Sequence, residues 1–402
     1  MSTSPSWTTP EDIKLQLVRS WDRGRILGAR LTGESLFPMP LRLTRPDTRA
    51  LSDRFHEVRQ WIRALEQGSK TERGFGYEIE WAVQNHRQLG KNRVPASLVI
   101  PTEEDALQLL GKRRHTQQFQ SLADATRSSF PELGDWLARR PLILLEHADN
   151  WPRVLAVLSF LRANPRPGLY LRQLDIPDVD TKFIETHKGL FAELLEKVVP
   201  PAGPHDGTTA IKDFERRYGL LTKPPLVRFR ILDPRDYIRG LSDIATPAAQ
   251  FALLALPVER VFITENDVNG LSFPDVAHSL VIFGLGYGLE RLAEIGWLKE
   301  RTLYYWGDID THGYAILDRL RASLPGITSL LMDRETLMAH RRLWTREEVP
   351  HVGPLTRLTA AERAVFEDLS TNALGEQVRL EQERISFGSV KRALANLPGL
   401  SV

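Results

Sequence analysis

Apolar residues recur at helical spacing from Pro10 onward: Ile13, Leu15, Leu17, Val18 and Trp21, then Phe55, Val58, Trp61, Ile62 and Leu65. The spacing predicts amphipathic helices over much of the stretch to about Arg93, with Thr9 or Thr8 capping the first. Residues 31–48 interrupt it. They carry Pro38, Pro40 and Pro46 and read as a loop or edge-strand excursion. Helical patterning resumes over residues 103–110, 116–126 and 133–139, so the front of the chain reads as a helix-rich module.

The pattern changes near Pro141. A helix is expected over 151–163, followed by Asn164-Pro-Arg-Pro-Gly168, the short apolar Leu169-Tyr170-Leu171, and further helix through Leu195. The alternation Leu226-Val-Arg228-Phe-Arg230-Ile-Leu232 then predicts a strand, and helix, turn, helix and strand together would suit a winged-helix fold. In the last third, strand candidates at 258–263, 281–283, 302–306 and 327–331 alternate with helical segments, most clearly 313–324, which Pro325-Gly326 ends. This predicts a small parallel sheet flanked by helices. The expected fold class is thus α/β and α+β, multidomain, with divisions at 1–140, 141–250 and 251–402.

At 402 residues, 42% hydrophobic and 26% charged, the chain is large enough for two or three cores. It has no cysteine, which excludes disulfides and thiolate metal sites. The N-terminus lacks the basic and apolar stretches of a signal peptide, and no apolar run is long enough to span a bilayer, so the expected address is the cytoplasm. Net charge is only +2, from 53 basic and 51 acidic residues. The basic residues cluster within the first 50 positions, at Lys112-Arg113-Arg114-His115, and at Lys223, Arg228 and Arg230. They could follow a phosphate backbone, although solvated helix faces are the more ordinary explanation of any one cluster.

Two segments carry the candidate chemistry: Val261-Phe-Ile-Thr-Glu265-Asn266 and Tyr304-Tyr-Trp-Gly307-Asp308-Ile-Asp310-Thr-His312-Gly313. Each runs from apolar strand-like residues into carboxylates, which would place Glu265, Asp308 and Asp310 where neighbouring parallel strands open onto one sheet edge. Alternate strand residues share a face, so Asp308 and Asp310 can point the same way. Holding them close favours a bound cation, and all-oxygen ligation points to Mg²⁺ or Mn²⁺. Glu265 could ligate metal or move a proton; alone, it would read as a turn glutamate. Gly307 and Gly313 would permit close backbone approach. His312 could contact a phosphate or simply make a local hydrogen bond. The run Gly284-Leu-Gly286-Tyr-Gly288-Leu lacks a P-loop lysine and the dinucleotide spacing, and helix packing explains it better. Glu381-Gln382-Glu383-Arg384 could add acids to the site or form a charged helix face.

Together the two acidic segments resemble the Toprim module, in which a glutamate and an Asp-x-Asp bind divalent metal for DNA strand cleavage. With Leu174-Asp-Ile-Pro-Asp-Val-Asp-Thr-Lys182-Phe-Ile-Glu185 and Glu381-Gln-Glu383, the chain from about residue 150 resembles more closely still the JetD family, the nuclease subunits of Wadjet plasmid-defence systems. The resemblance implies a helical N-terminal arm, a winged-helix (CAP-like) domain like that of type IIB topoisomerase A subunits, and a C-terminal Toprim domain. It also implies a homodimer that cuts double-stranded DNA together with an SMC-like ATPase, its kleisin and a winged-helix accessory subunit. Tyr170, the candidate for a topoisomerase-like nucleophile, is expected to pack in its apolar segment, which favours hydrolysis. The competing expectations are a DNA-binding adaptor with an inactive acidic site and an RNA-processing or primase-like Toprim protein.

Overall fold

The computed structural model describes residues 7–86, 90–199, 213–284, 288 and 292–398, which fall into two compact units, Met1–Thr222 and Lys223–Val402. Among the described residues no helix is long and apolar enough to cross a membrane.

The first unit opens with the helix Pro10–Asp22, where Thr9 and Asp12 form a reciprocal capping box. Ile13, Leu17 and Trp21 are buried on one face while Leu15 is exposed, as a stripe one turn wide requires. Ile13 and Leu17 pack with Val58, Trp61 and Leu65 from the helix Phe55–Gly68. That core is closed by a sheet which the helical reading of residues 10–93 missed: β1 (Met39–Leu41), β2 (Glu78–His86) and β3 (Gly90–Ile100), in the order β1-β3-β2. The expected edge-strand excursion is β1, paired antiparallel to β3. A second core forms around Trp151, Val154 and Leu158 of the helix Trp151–Ala163, with Phe119, Phe183, Phe191 and Phe214. Trp151 satisfies its buried indole N–H on the Thr126 hydroxyl at 2.8 Å.

The second unit is built on a six-stranded sheet ordered β5-β4-β7-β6-β8-β9. Its strands are β4 (Leu226–Ile231), β5 (Asp243–Pro247), β6 (Arg260–Thr264), β7 (Ser279–Phe283), β8 (Thr302–Trp306) and β9 (Thr328–Ser329). β7, β6, β8 and β9 run parallel, whereas β4 and β5 are antiparallel additions, so the expected parallel sheet is a mixed one. Continuous apolar runs fit these strands: every residue of β7 is buried, as is all of β6 after Arg260. The alternating segment expected to accompany the preceding helices as part of a winged-helix fold is β4, and its hydrogen bonds run instead to β5 and β7. Alternation suits that position because β4 buries Val227, Phe229 and Ile231 on one face only. The helices Thr311–Ser323 and Ala360–Ser370 pack on the sheet. A short pair, β10 (Thr345–Arg346) with β11 (Val378–Arg379), completes the unit.

Candidate metal centre

β6 and β8 are parallel neighbours in register, Thr264 opposite Trp306, so the residues that follow them emerge at the same sheet edge. Glu265 follows β6 directly. The chain after β8 continues through Gly307, where a Cβ would lie 2.7 Å from Glu265 Oε1, so a larger residue there would displace the Glu265 carboxylate. The regular strand stops at Trp306, but an isolated antiparallel bridge between Ile309 and Leu380 keeps the backbone extended. Ile309 is fully buried between the two aspartates, and the alternation that lets Asp308 and Asp310 share a side survives the end of the strand. Asp310 caps the helix Thr311–Ser323, accepting from the Gly313 N–H at 2.7 Å. Gly313 is required there because a Cβ would collide with the Asp308 carbonyl.

The electrostatics of this edge are those of crowded anions. Burial pushes Glu265 up to about 6; the hydrogen bond donated by the Tyr305 hydroxyl opposes that, and Asp308 and Asp310 reinforce it. Burial likewise raises Asp310 to about 6, with Glu347 and Asp308 adding to the rise and the Gly313 N–H and Arg379 opposing it. The counter-charge is Arg379 on β11. Its Nη2 lies 2.5 Å from Asp308 Oδ2 and its Nε 3.1 Å from Asp310 Oδ2.

A strap of residues from Arg379 to Glu383 closes the edge. Ile309 and Leu380 exchange backbone hydrogen bonds of 2.9 and 3.1 Å. The Gln382 N–H donates to Asp308 Oδ1 at 2.9 Å, and its buried side-chain carbonyl accepts from Thr264 at 2.5 Å and Asn269 at 3.0 Å. Asn266 donates to Glu383. The Glu381-Gln382-Glu383-Arg384 segment therefore reaches the site, as a short 3₁₀ turn and not as a charged helix face. His312 has the local role: its Nδ1 lies 2.7 Å from Glu347, a buried carboxylate that also accepts from the Thr311 hydroxyl at 2.8 Å.

The three carboxylates, with Asp308 and Asp310 held by backbone N–H groups and Glu265 by the Tyr305 hydroxyl, offer the oxygen ligands that suit a hard divalent cation. They are not drawn together as a finished cage. Among the described residues only Asp233, Asp236 and His278 bring one ligand atom each within 4.8 Å of one another. At the acidic edge Glu265 turns onto Tyr305, and the Arg379 guanidinium takes a cation's place on Asp308 and Asp310. The Asp233 cluster lies at the opposite edge, where β4 ends and β7 begins, and it is already satisfied: Asp233 accepts from Arg235 at 2.7 Å and from the His278 N–H at 2.9 Å.

Other sequence expectations fare differently. Tyr170 does not pack as expected: it is 40% exposed, while Leu171, which begins the 3₁₀ turn Leu171–Gln173, is buried. Arg228 and Arg230 are paired with Asp243 and Asp275, and Arg113 with Glu104, as ordinary surface ion pairs. Most of the glycine-rich run from Gly284 lies outside the described residues.

Comparison with known families agrees with the resemblance. No curated protein matches the chain. Residues 10–196 match a family described as an uncharacterized protein conserved in bacteria, N-terminal. Residues 219–394, which contain the sheet and the whole acidic edge, match the family described as Wadjet protein JetD, C-terminal, and this match supports identification of the chain as a JetD protein.

Proposed function

We propose that the chain is a divalent-metal-dependent DNA endonuclease, the cutting subunit of a multi-subunit Wadjet plasmid-defence complex. The observation that carries this reading is that Glu265, Asp308 and Asp310 all follow the C-terminal ends of two adjacent parallel strands, near enough for the aspartates to raise Glu265. In a Toprim reading, Asp308 and Asp310 would hold Mg²⁺ or Mn²⁺, with Glu265 as a further ligand or as general base. A bound ion would supply charge neutralisation at the scissile phosphate and ease deprotonation of water. Glu265, held near 6, is matched to accept a proton close to neutral pH. Asp310, fixed by the helix N-terminus, and Asp308, fixed by the Gln382 N–H, keep two carboxylates on one side. The family match supports association with a multi-subunit Wadjet complex; in the JetD reading the partners would be an SMC-like ATPase, a kleisin and a winged-helix accessory subunit, and the chain would act as a homodimer on double-stranded DNA.

The exposed phenol of Tyr170 favours one second reading, attack by tyrosine with a covalent DNA intermediate. A single assay separates the possibilities. Closed circular DNA is incubated with the assembled complex and Mn²⁺, and the products are resolved with and without protease. Hydrolysis predicts free linear DNA in both lanes and loss of cutting by orders of magnitude in Glu265→Ala, with the fold retained. Protein-linked ends would establish the tyrosyl route. Equal cutting by Glu265→Ala would remove Glu265 and the acidic edge from the cutting reaction, and cutting by neither form would remove the nuclease assignment.

A further inference from the structure

The acidic edge contains a cation of its own. Arg379 touches both aspartates through one guanidinium, and Glu381 Oε1 lies 3.8 Å from the same Nη2. Its backbone is fixed by pairing of β11 with β10, and the next residue exchanges two hydrogen bonds with Ile309, between the aspartates. Arg379 is thus positioned by the fold and is no wandering surface side chain. Its fit is nevertheless incomplete: Nε is buried and, although 3.1 Å from Asp310 Oδ2, is not aligned to donate a hydrogen bond to it. A guanidinium has a planar fork of donors and satisfies one carboxylate well. Stretched over two, it neutralises both and matches neither fully.

We propose that Arg379 is the resident counter-ion of the metal-free site and competes directly with the divalent ion for Asp308 and Asp310. Without metal it keeps two close carboxylates from repelling each other, which spares the strap that closes the edge. Metal entry turns the guanidinium away from the aspartates towards Glu381, which shares its other oxygen with Arg384 at 2.6 Å and can follow the released charge. The site thereby sets a threshold, because a cation must outbid an arginine already in place. This inference rests on the metal-dependent reading of the acidic edge.

The test is a Mn²⁺ binding isotherm on the full chain, free of DNA, for the wild type, Arg379→Gln, Arg379→Lys and Asp308→Asn. Arg379→Gln should bind Mn²⁺ at least roughly tenfold more tightly than the wild type, since one positive charge within hydrogen-bonding distance of the ligands is gone. Arg379→Lys, whose compact ammonium cannot bridge both carboxylates, should lie between them and serves if the glutamine variant fails to fold. Unchanged or weaker binding in the folded Arg379 variants would overturn the inference while leaving the metal centre intact. Absence of binding in the wild type and the Arg379 variants, or binding that survives Asp308→Asn undiminished, would instead overturn the metal-centre reading and this inference with it.

Discussion

Glu265 and Asp310 are the two carboxyl groups at the sheet edge whose burial raises them to about 6. The sign of the consequence is definite. In the metal-free fold these acids favour the protonated form, so their contribution to stability is present below the ordinary carboxylate range and is lost as pH rises through about 6. A divalent ion must displace those protons, so its apparent affinity should fall steeply as pH drops from about 7 to about 5, whereas exposed carboxylates would stay ionised throughout. Mn²⁺ isotherms across that interval check this, and a flat profile would contradict it. These acids were legible in the sequence because each ends an apolar run, which marks a strand edge. Arg379 was not legible: it is a lone basic residue in Val-Arg-Leu-Glu, and the carboxylate it meets lies 71 positions away in the chain. Tyr170 was misread for a local reason, since an apolar triplet does not say which of its members faces inward.

At the scale of elements, the helices Thr311–Ser323 and Ala360–Ser370 are joined by a buried ion pair. Arg321 donates to both oxygens of Glu362, through Nη2 at 2.8 Å and through Nη1, and Ser329 and the Thr359 N–H complete the carboxylate's partners. Burial pushes Glu362 up, but these hydrogen bonds together outweigh it and hold the group at about 2. Its stabilising effect is therefore present above the ordinary glutamate range and is lost as pH falls through about 2. Glu362→Gln should cost about 3–5 kcal/mol, because it leaves a buried guanidinium without its charge partner, whereas replacing Arg321 and Glu362 together by apolar residues of similar volume should recover much of the loss. Denaturant unfolding of the single and double variants measures both; a single variant as stable as the wild type would contradict the account. The buried strands β6, β7 and β8 were legible as continuous apolar runs. The β2–β3 pair was not, because its faces are only partly covered and Val83 is 62% exposed, leaving little contrast between its two sides. β4 was legible as a strand, but not its sheet, since alternation specifies a half-buried strand and says nothing about its neighbours.

For the molecule as a whole, the sheet of the second unit fixes the strand edge, and the strap from Arg379 to Glu383 arrives late in the chain to close it. The family match over residues 219–394 spans all of these elements. Among the described residues of this unit, two places could attract a divalent ion: the acidic edge, whose aspartates Arg379 occupies, and the Asp233, Asp236 and His278 group, which is geometrically tighter but already satisfied. The most direct discrimination is an anomalous-difference map from crystals of the protein soaked in Mn²⁺. The account predicts a peak bounded by Asp308, Asp310 and Glu265, with the Arg379 guanidinium moved off both aspartates. A peak at Asp233 and His278 alone, or an acidic edge still occupied by Arg379 at saturating Mn²⁺, would contradict it.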